Sequence, residues 1–278
     1  MKTLIAQATI IDRRHPENGK KKDLLIENGV IAKIEDKLDL EADEIIEAEG
    51  LCVSIGWMDM RANYRDPGEE YKESLANGLK VAAKSGFTAV ALSPDTTPPI
   101  DNKSAVEYLR NRSKGSGVEI IPIGALSGGL KGENMSEMYD MFLAGARGFG
   151  DDKHSLAESG LLKRALLYTA NFDAPVFHFP YDERLIPNGQ INEGALSTSL
   201  GLKGIPSISE EMVVRRDLTL LEYTGGKLHL GPLSSHRSID LVGKAKKQGL
   251  QVSAEVSAAH LIFNENELND FDTTFKLM

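Results

Sequence analysis

From Cys52 onward the chain repeats one rhythm, a short β-prone run followed by a helical stretch, and this most restricts what it can fold into. Runs at 53–58, 87–92, 118–125, 146–150, 175–178, 227–230 and 250–256 are apolar and strand-length; those at 73–84, 103–113, 135–144, 156–169, 210–224 and 238–248 carry helical spacing. In the first helix Leu75, Leu79 and Ala82 or Ala83 fall on one face, and Gly86 stops it. Strands alternating with helices specify an α/β fold with a parallel sheet, because a parallel pair needs a crossover long enough to hold a helix. A (β/α)8 TIM-type barrel takes about 250 residues and places its site at the loops after the strands. Seven units fit here, so the last unit is absent from this chain. The first run, 53–58, is expected to be a buried strand.

Residues 1–52 follow a different period. Runs at 4–11, 23–27, 30–35 and 44–48 are separated by turn signals such as Asn28-Gly29, which describes a small antiparallel β module. The expected domains are therefore 1–52 and 53–278. Lys20-Lys21-Lys22, next to Gly19, is expected at a hairpin tip. Cys52, the one cysteine, excludes an internal disulfide and is expected to be a buried inert thiol.

The 278 residues carry a net charge of -9 and no basic cluster, which argues against nucleic acid or an anionic membrane surface as partner. No run approaches the roughly 20 apolar residues of a membrane span, and the N-terminal apolar stretch is too short for a signal peptide. With the cysteine usage, this gives an expected cytoplasmic location.

After the first barrel run comes Asp59-Met60-Arg61-Ala62-Asn63-Tyr64-Arg65-Asp66-Pro67-Gly68. This segment resembles the Asp-x-His-x-His-x-Arg-x-Pro-Gly entry of the dihydroorotases in the amidohydrolase superfamily. The likeness extends through 23–34, Gly86-Phe87-Thr88-Ala89-Val90, Gly201-Leu202-Lys203-Gly204-Ile205-Pro206 and Ala254-Glu255-Val256. It implies an amidohydrolase barrel beside a small N-terminal β-sandwich module that the C-terminal end normally completes. It also implies two divalent metals, held by two histidines of the first strand, a bridging carboxylate, two later histidines and a last aspartate.

Measured against that pattern, the metal positions are depleted. Arg61 and Asn63 stand where the paired histidines belong, and Pro232 replaces a later one; the last aspartate would lie beyond Met278. Asp151 matches the bridging position and His178 the first later histidine. Arginine offers no lone pair and an amide oxygen is a poor zinc ligand, whereas a catalytic zinc normally keeps three protein ligands. On the substrate side Arg65 stands where the family clamps a carboxylate, but Met-Pro-Asn-Thr becomes Ser93-Pro94-Asp95-Thr96 and Pro-His-His becomes Ala258-Ala259-His260. A carboxylate at Asp95 facing an anionic substrate could cost about 4 kcal/mol at roughly 4 Å and an effective dielectric near 20.

Plainer roles stand beside these. Asp151 and Asp152 can be a solvated pair or a helix cap, and His178 a packed, hydrogen-bonded histidine; Asp151, His154 and His178 could also assemble a mononuclear site. Spacing leaves open whether His229 faces the barrel. Arg65 is expected to pair internally with Asp95, and Arg61 to neutralise Asp151 in place of metal.

The resemblance then implies a dihydroorotase-like protein of pyrimidine biosynthesis that is non-catalytic, structural or regulatory, with no cofactor. Its candidate partner is aspartate transcarbamoylase, with which inactive family members assemble; a homo-oligomer and a small anionic ligand are further expectations. The alternative is an active dihydroorotase that interconverts dihydroorotate and N-carbamoyl-aspartate, a zinc-bound hydroxide attacking the cyclic amide. The segment 271–278 resembles one that leads into an Asn-Pro-Pro-Leu-Arg loop of the family, so the chain is expected to be cut at a loop.

Overall fold

The computed structural model describes residues 1–275; the last part of the 271–278 segment, from 276, lies outside them. The chain divides into two compact units, 1–57 and 58–278.

The first unit is one five-stranded sheet. Strands β1 (Lys2–Ile11), β2 (Lys21–Glu27), β3 (Val30–Glu35) and β4 (Glu44–Ile46) run in the order β3-β2-β1-β4, and β5 (Cys52–Ser54) also pairs with β1. The hairpin between β2 and β3 turns on Asn28 and Gly29, whose φ values of 52° and 80° suit the left-handed turn these residues favour. The sheet is mixed rather than purely antiparallel, because β4 and β5 pair in parallel with β1. The expected sandwich is therefore represented within this unit by a single layer. Lys20 and Lys22 flank the entry to β2, and both reach Glu17.

Two expectations fail here. Cys52 is exposed, its thiol facing the Gly50 carbonyl, and so is not a buried thiol. The run 53–58 is not one buried strand: Ile55 and Gly56 interrupt it, β5 ends at Ser54, and β6 (Trp57–Ala62) begins a new sheet with Met58 and Met60 exposed. Apolar composition alone could not show the change of sheet.

The second unit holds seven strands in the order β14-β13-β10-β9-β8-β7-β6. These are β6, β7 (Phe87–Leu92), β8 (Glu119–Gly124), β9 (Gly148–Gly150), β10 (Val176–His178), β13 (Leu228–Leu230) and β14 (Val252–Ala254). A two-residue parallel ribbon, β11 (Ile191–Asn192) with β12 (Gly204–Ile205), lies in the long connection after β10. The helices are α1 (Leu75–Lys84), α2 (Lys103–Arg112), α3 (Met138–Ala144), α4 (Ser159–Ala170), α5 (Ala195–Ser199), α6 (Ile208–Thr224) and α7 (His236–Lys247). Strand order follows chain order, as in a (β/α) barrel built unit by unit.

Local chemistry sets the element ends. Ser74 caps α1 by accepting from the Asn77 N–H, and Leu75, Leu79 and Ala82 are its buried face. The third helix starts at 138 rather than 135 because Met135 bridges to Ser127 and the Ser136 N–H donates to the Leu126 carbonyl. At Gly150 a side chain would collide with the backbone of Phe177, so β9 and β10 approach closely only because that residue is glycine. The core lies between sheet and helices, around Phe149, Leu126, Met138, Met141, Leu161, Leu162 and Leu166.

Candidate functional site

The barrel's C-terminal strand ends gather the residues of interest, as the fold requires. Arg61, near the end of β6, extends its guanidinium to three acceptors. Its Nε donates to Glu255 Oε1 at 2.5 Å, Nη1 to Asp152 Oδ1 at 3.1 Å and Nη2 to the Gly231 carbonyl at 2.6 Å. One side chain thus ties β6 to the loops that follow β9, β13 and β14. Burial alone would raise the Glu255 carboxyl, but the His229 contact and the Arg61 guanidinium outweigh it and hold the group below the usual carboxylate range. His229 belongs to the same cluster. Its Nδ1 meets Ser253 Oγ at 2.8 Å, while its Nε2 lies 3.5 Å from Glu255 Oε2 without hydrogen-bond geometry.

Arg61 was expected to neutralise Asp151, and it does not: its carboxylate partners are Asp152 and Glu255. Asp151 points away into the protein, 2% exposed, and is held by neutral donors. Its Oδ1 accepts from the Leu126 and Ser127 N–H groups, each at 2.9 Å, and its Oδ2 from the Ser127 hydroxyl. Burial pushes its pKa up, with the Ser127 and Leu126 donors offsetting part of the effect. Asp151 therefore serves as a buried acceptor that fixes the loop after β8.

His178 is 1% exposed, and both its ring nitrogens are engaged. Nε2 accepts the Leu156 N–H at 2.8 Å, so this nitrogen is unprotonated, and Nδ1–H faces Asp217 Oδ2 at 2.5 Å. Asp217, fully buried on α6, is in turn gripped by Arg216 through its Oδ1. Ser155 Oγ lies 3.3 Å from the same Nε2, so Ser155, His178 and Asp217 stand in the order of a nucleophilic triad. The order is not functional, because the one lone pair a base would use is occupied by the shorter Leu156 contact.

The remaining positions are accounted for in the same way. Asn63 Oδ1 accepts the Arg65 N–H at 3.2 Å and so supports a turn in which Arg65 has φ 59°. Arg65 reaches Asp95 Oδ2 at 2.9 Å, the Asp95 carbonyl at 3.2 Å and Glu69 Oε2 at 3.4 Å, the internal pairing the sequence suggests. Asp95 also draws Lys153 to 3.8 Å and His154 to 3.9 Å, so His154 turns to Asp95 rather than joining Asp151 and His178. Pro232 follows Gly231, whose carbonyl serves Arg61. His260 sits on the 3-10 turn Ala258–Leu261 with its Nδ1 buried and unpaired, and among the described residues no hydrogen bond or ion pair joins it to Arg65 or Asp95.

For a metal the fit is poor. Among the described residues no three His, Cys, Asp or Glu side chains converge as an ion would require. The two retained ligand-type residues have their lone pairs engaged by protein donors, and a guanidinium occupies the strand-end carboxylates. The void left beside Arg61, Ser93, Asp152 and Phe177 is about 20 Å3, room for about one water. A larger cavity, about 530 Å3 and lined by Glu107, Arg110 and Val118, lies at the N-terminal ends of β7 and β8, away from these residues. Sequence reasoning missed Glu255, Asp217 and the Leu156 amide. Glu255 carried a signal, since it directly follows the seventh barrel strand; the other two did not.

The fold is shared with solved hydantoinases. An L-hydantoinase (dihydropyrimidinase) from Arthrobacter aurescens superposes with a TM-score of 0.82 over 99% of this chain and 62% of that one, at 19% identity. A D-hydantoinase gives 0.76 over 96% and 60%, at 20% identity. These show the fold, a barrel-type α/β architecture common to this chain and the two hydantoinases. The sequence profile described as Dihydro-orotase-like matches residues 51–238. A protein named dihydroorotase from Acetivibrio thermocellus is 40% identical over 275 residues, covering 99% of this chain and 64% of that protein. One from Ruminiclostridium cellulolyticum is 38% identical over 278 residues, covering 100% and 65%. The chain belongs to the dihydro-orotase-like family and spans just under two thirds of the length of these relatives.

Proposed function

We propose that this chain is a dihydroorotase-family protein of pyrimidine biosynthesis that does not carry out metal-assisted hydrolysis and acts as a structural or regulatory partner in the cytoplasm. The observation that supports this reading is the Arg61 guanidinium, bonded to Glu255, Asp152 and the Gly231 carbonyl at the strand ends where the family's metal histidines would stand. A fixed cation there repels a divalent ion and leaves no lone pair for it. Aspartate transcarbamoylase is the candidate partner. No helix among the described residues is long and apolar enough to cross a membrane.

The second reading, an active dihydroorotase, is favoured by the two relatives of that name at 40% and 38% identity over essentially the whole chain. It requires Arg61 to leave the mouth and His178 and Asp151 to exchange their present partners for zinc. Turnover of dihydroorotate, or of N-carbamoyl-aspartate in reverse, separates the two. The non-catalytic reading expects none above background after zinc is supplied, and co-elution of the purified chain with aspartate transcarbamoylase. Zinc-dependent turnover abolished by His178→Ala would establish the second reading instead.

A further inference from the structure

Beside the barrel mouth is a cavity of about 330 Å3, bounded by 130–132 after β8, 153–157 after β9, 181–184 after β10, and α6. That volume lies in the range of small-molecule sites, whereas the void at Arg61 does not. None of the positions matched to the family's metal or substrate residues lines it. Its apolar part is formed by Leu156 and Val213, both buried, with Tyr181 half-buried beside them.

The charged lining divides into committed and uncommitted groups. Arg184 is held by Asp182 through two contacts, at 2.8 and 2.9 Å. Arg216 is occupied by Asp217 and by the Leu156 and Ala157 carbonyls. Lys131 pairs with no carboxylate among the described residues, and Lys153 and His154 reach only Asp95, at 3.8 and 3.9 Å. Among the described residues Glu183 is the one lining carboxylate without a cation partner. Lys131 and Lys153 against the single unpaired carboxylate of Glu183 leave an excess of positive charge on an apolar-floored cavity, in a chain whose net charge is -9, which favours an anion there.

We infer that this cavity binds a small organic anion, a carboxylate or phosphate whose charged group meets Lys131 and Lys153 and whose apolar body lies on Leu156, Val213 and Tyr181. The site is independent of whether the chain hydrolyses a cyclic amide. Ser155 and Leu156 line it and also hold His178 Nε2, so a bound anion would sit against the loop that fixes the retained histidine.

Isothermal titration of the full chain with phenyl phosphate, benzoate and inorganic phosphate tests this. Phenyl phosphate or benzoate is expected to bind one per chain with a Kd of about 1 mM or below, and inorganic phosphate more weakly because it has no apolar body. The double variant Lys131→Ala, Lys153→Ala should weaken the tighter probe at least about tenfold, while Lys80→Ala, on the exposed face of α1, leaves it unchanged. Because all three lysines are at the surface or half-buried, unchanged melting of the variants without ligand is the folding control. The inference is overturned if no organic probe saturates, if inorganic phosphate binds as tightly, or if the double variant matches the Lys80 variant.

Discussion

Two neighbouring parts of the barrel mouth handle the same problem by opposite means. At the end of β6 a cation, Arg61, takes up carboxylates at strand ends that remain partly open, its side chain 22% exposed. Where ligand-type residues are retained, at Asp151 and His178, no cation has been substituted. Backbone amides and Ser127 have claimed Asp151, and Leu156 and Asp217 have claimed His178. The first region is held by charge, the second by hydrogen bonds to buried polar groups. A ligand-type residue need not be a free ligand: the polar atoms of Asp151 and His178 are engaged by protein partners.

That difference can be broken at each end. Asp151→Ala would leave two amides and a hydroxyl without an acceptor in a closed interior, costing about 3–4 kcal/mol in urea denaturation. Because those donors are neutral, the loss should be nearly the same at low and high salt, and strong salt dependence would refute a hydrogen-bonded role. Arg61→Met strands Glu255 and Asp152, but the site is partly open, so about 2–3 kcal/mol is expected, less than for a fully buried pair. Arg61→Lys should recover only part of this, since one ammonium cannot span three acceptors set around a planar fork.

Acid sharpens the contrast. Glu255 is held low in the fold, so its contribution is present above its unfolded titration, near about pH 4, and is lost as pH falls through the folded value. Asp151 is raised, so protonation favours the folded state and its contribution grows as pH falls through its raised value. The stability gap between Arg61→Met and the parent should therefore narrow below about pH 4. A gap that widens on acidification would contradict the pairing with Glu255. The smallest effect is expected at Arg65, as exposed as Arg61 but held only by the nearby Asp95 and Glu69, where Arg65→Ala should cost about 1–2 kcal/mol.

Much of the scaffold was legible in the sequence, because each strand and helix carries its own period and caps. The seven barrel strands and the α1 face of Leu75, Leu79 and Ala82 are local matters. The split of 53–58 was not legible: Ile55 and Gly56 interrupt an apolar run whose composition gives no reason for a change of sheet. At the site, the pairing of Arg65 with Asp95 followed from opposite charges on adjacent loops. The partner of Arg61 did not, because Glu255 lies 194 residues away and only strand order brings it near. The orientation of Asp151 depends on backbone amides, which every sequence offers and none advertises.

The most direct measurement is the zinc content of the purified chain after incubation with excess zinc and exhaustive dialysis. Zinc far below one equivalent, in the parent and in Asp151→Asn alike, is the expected result. One equivalent or more, lost when His178 or Asp151 is replaced, would contradict an arginine-filled mouth.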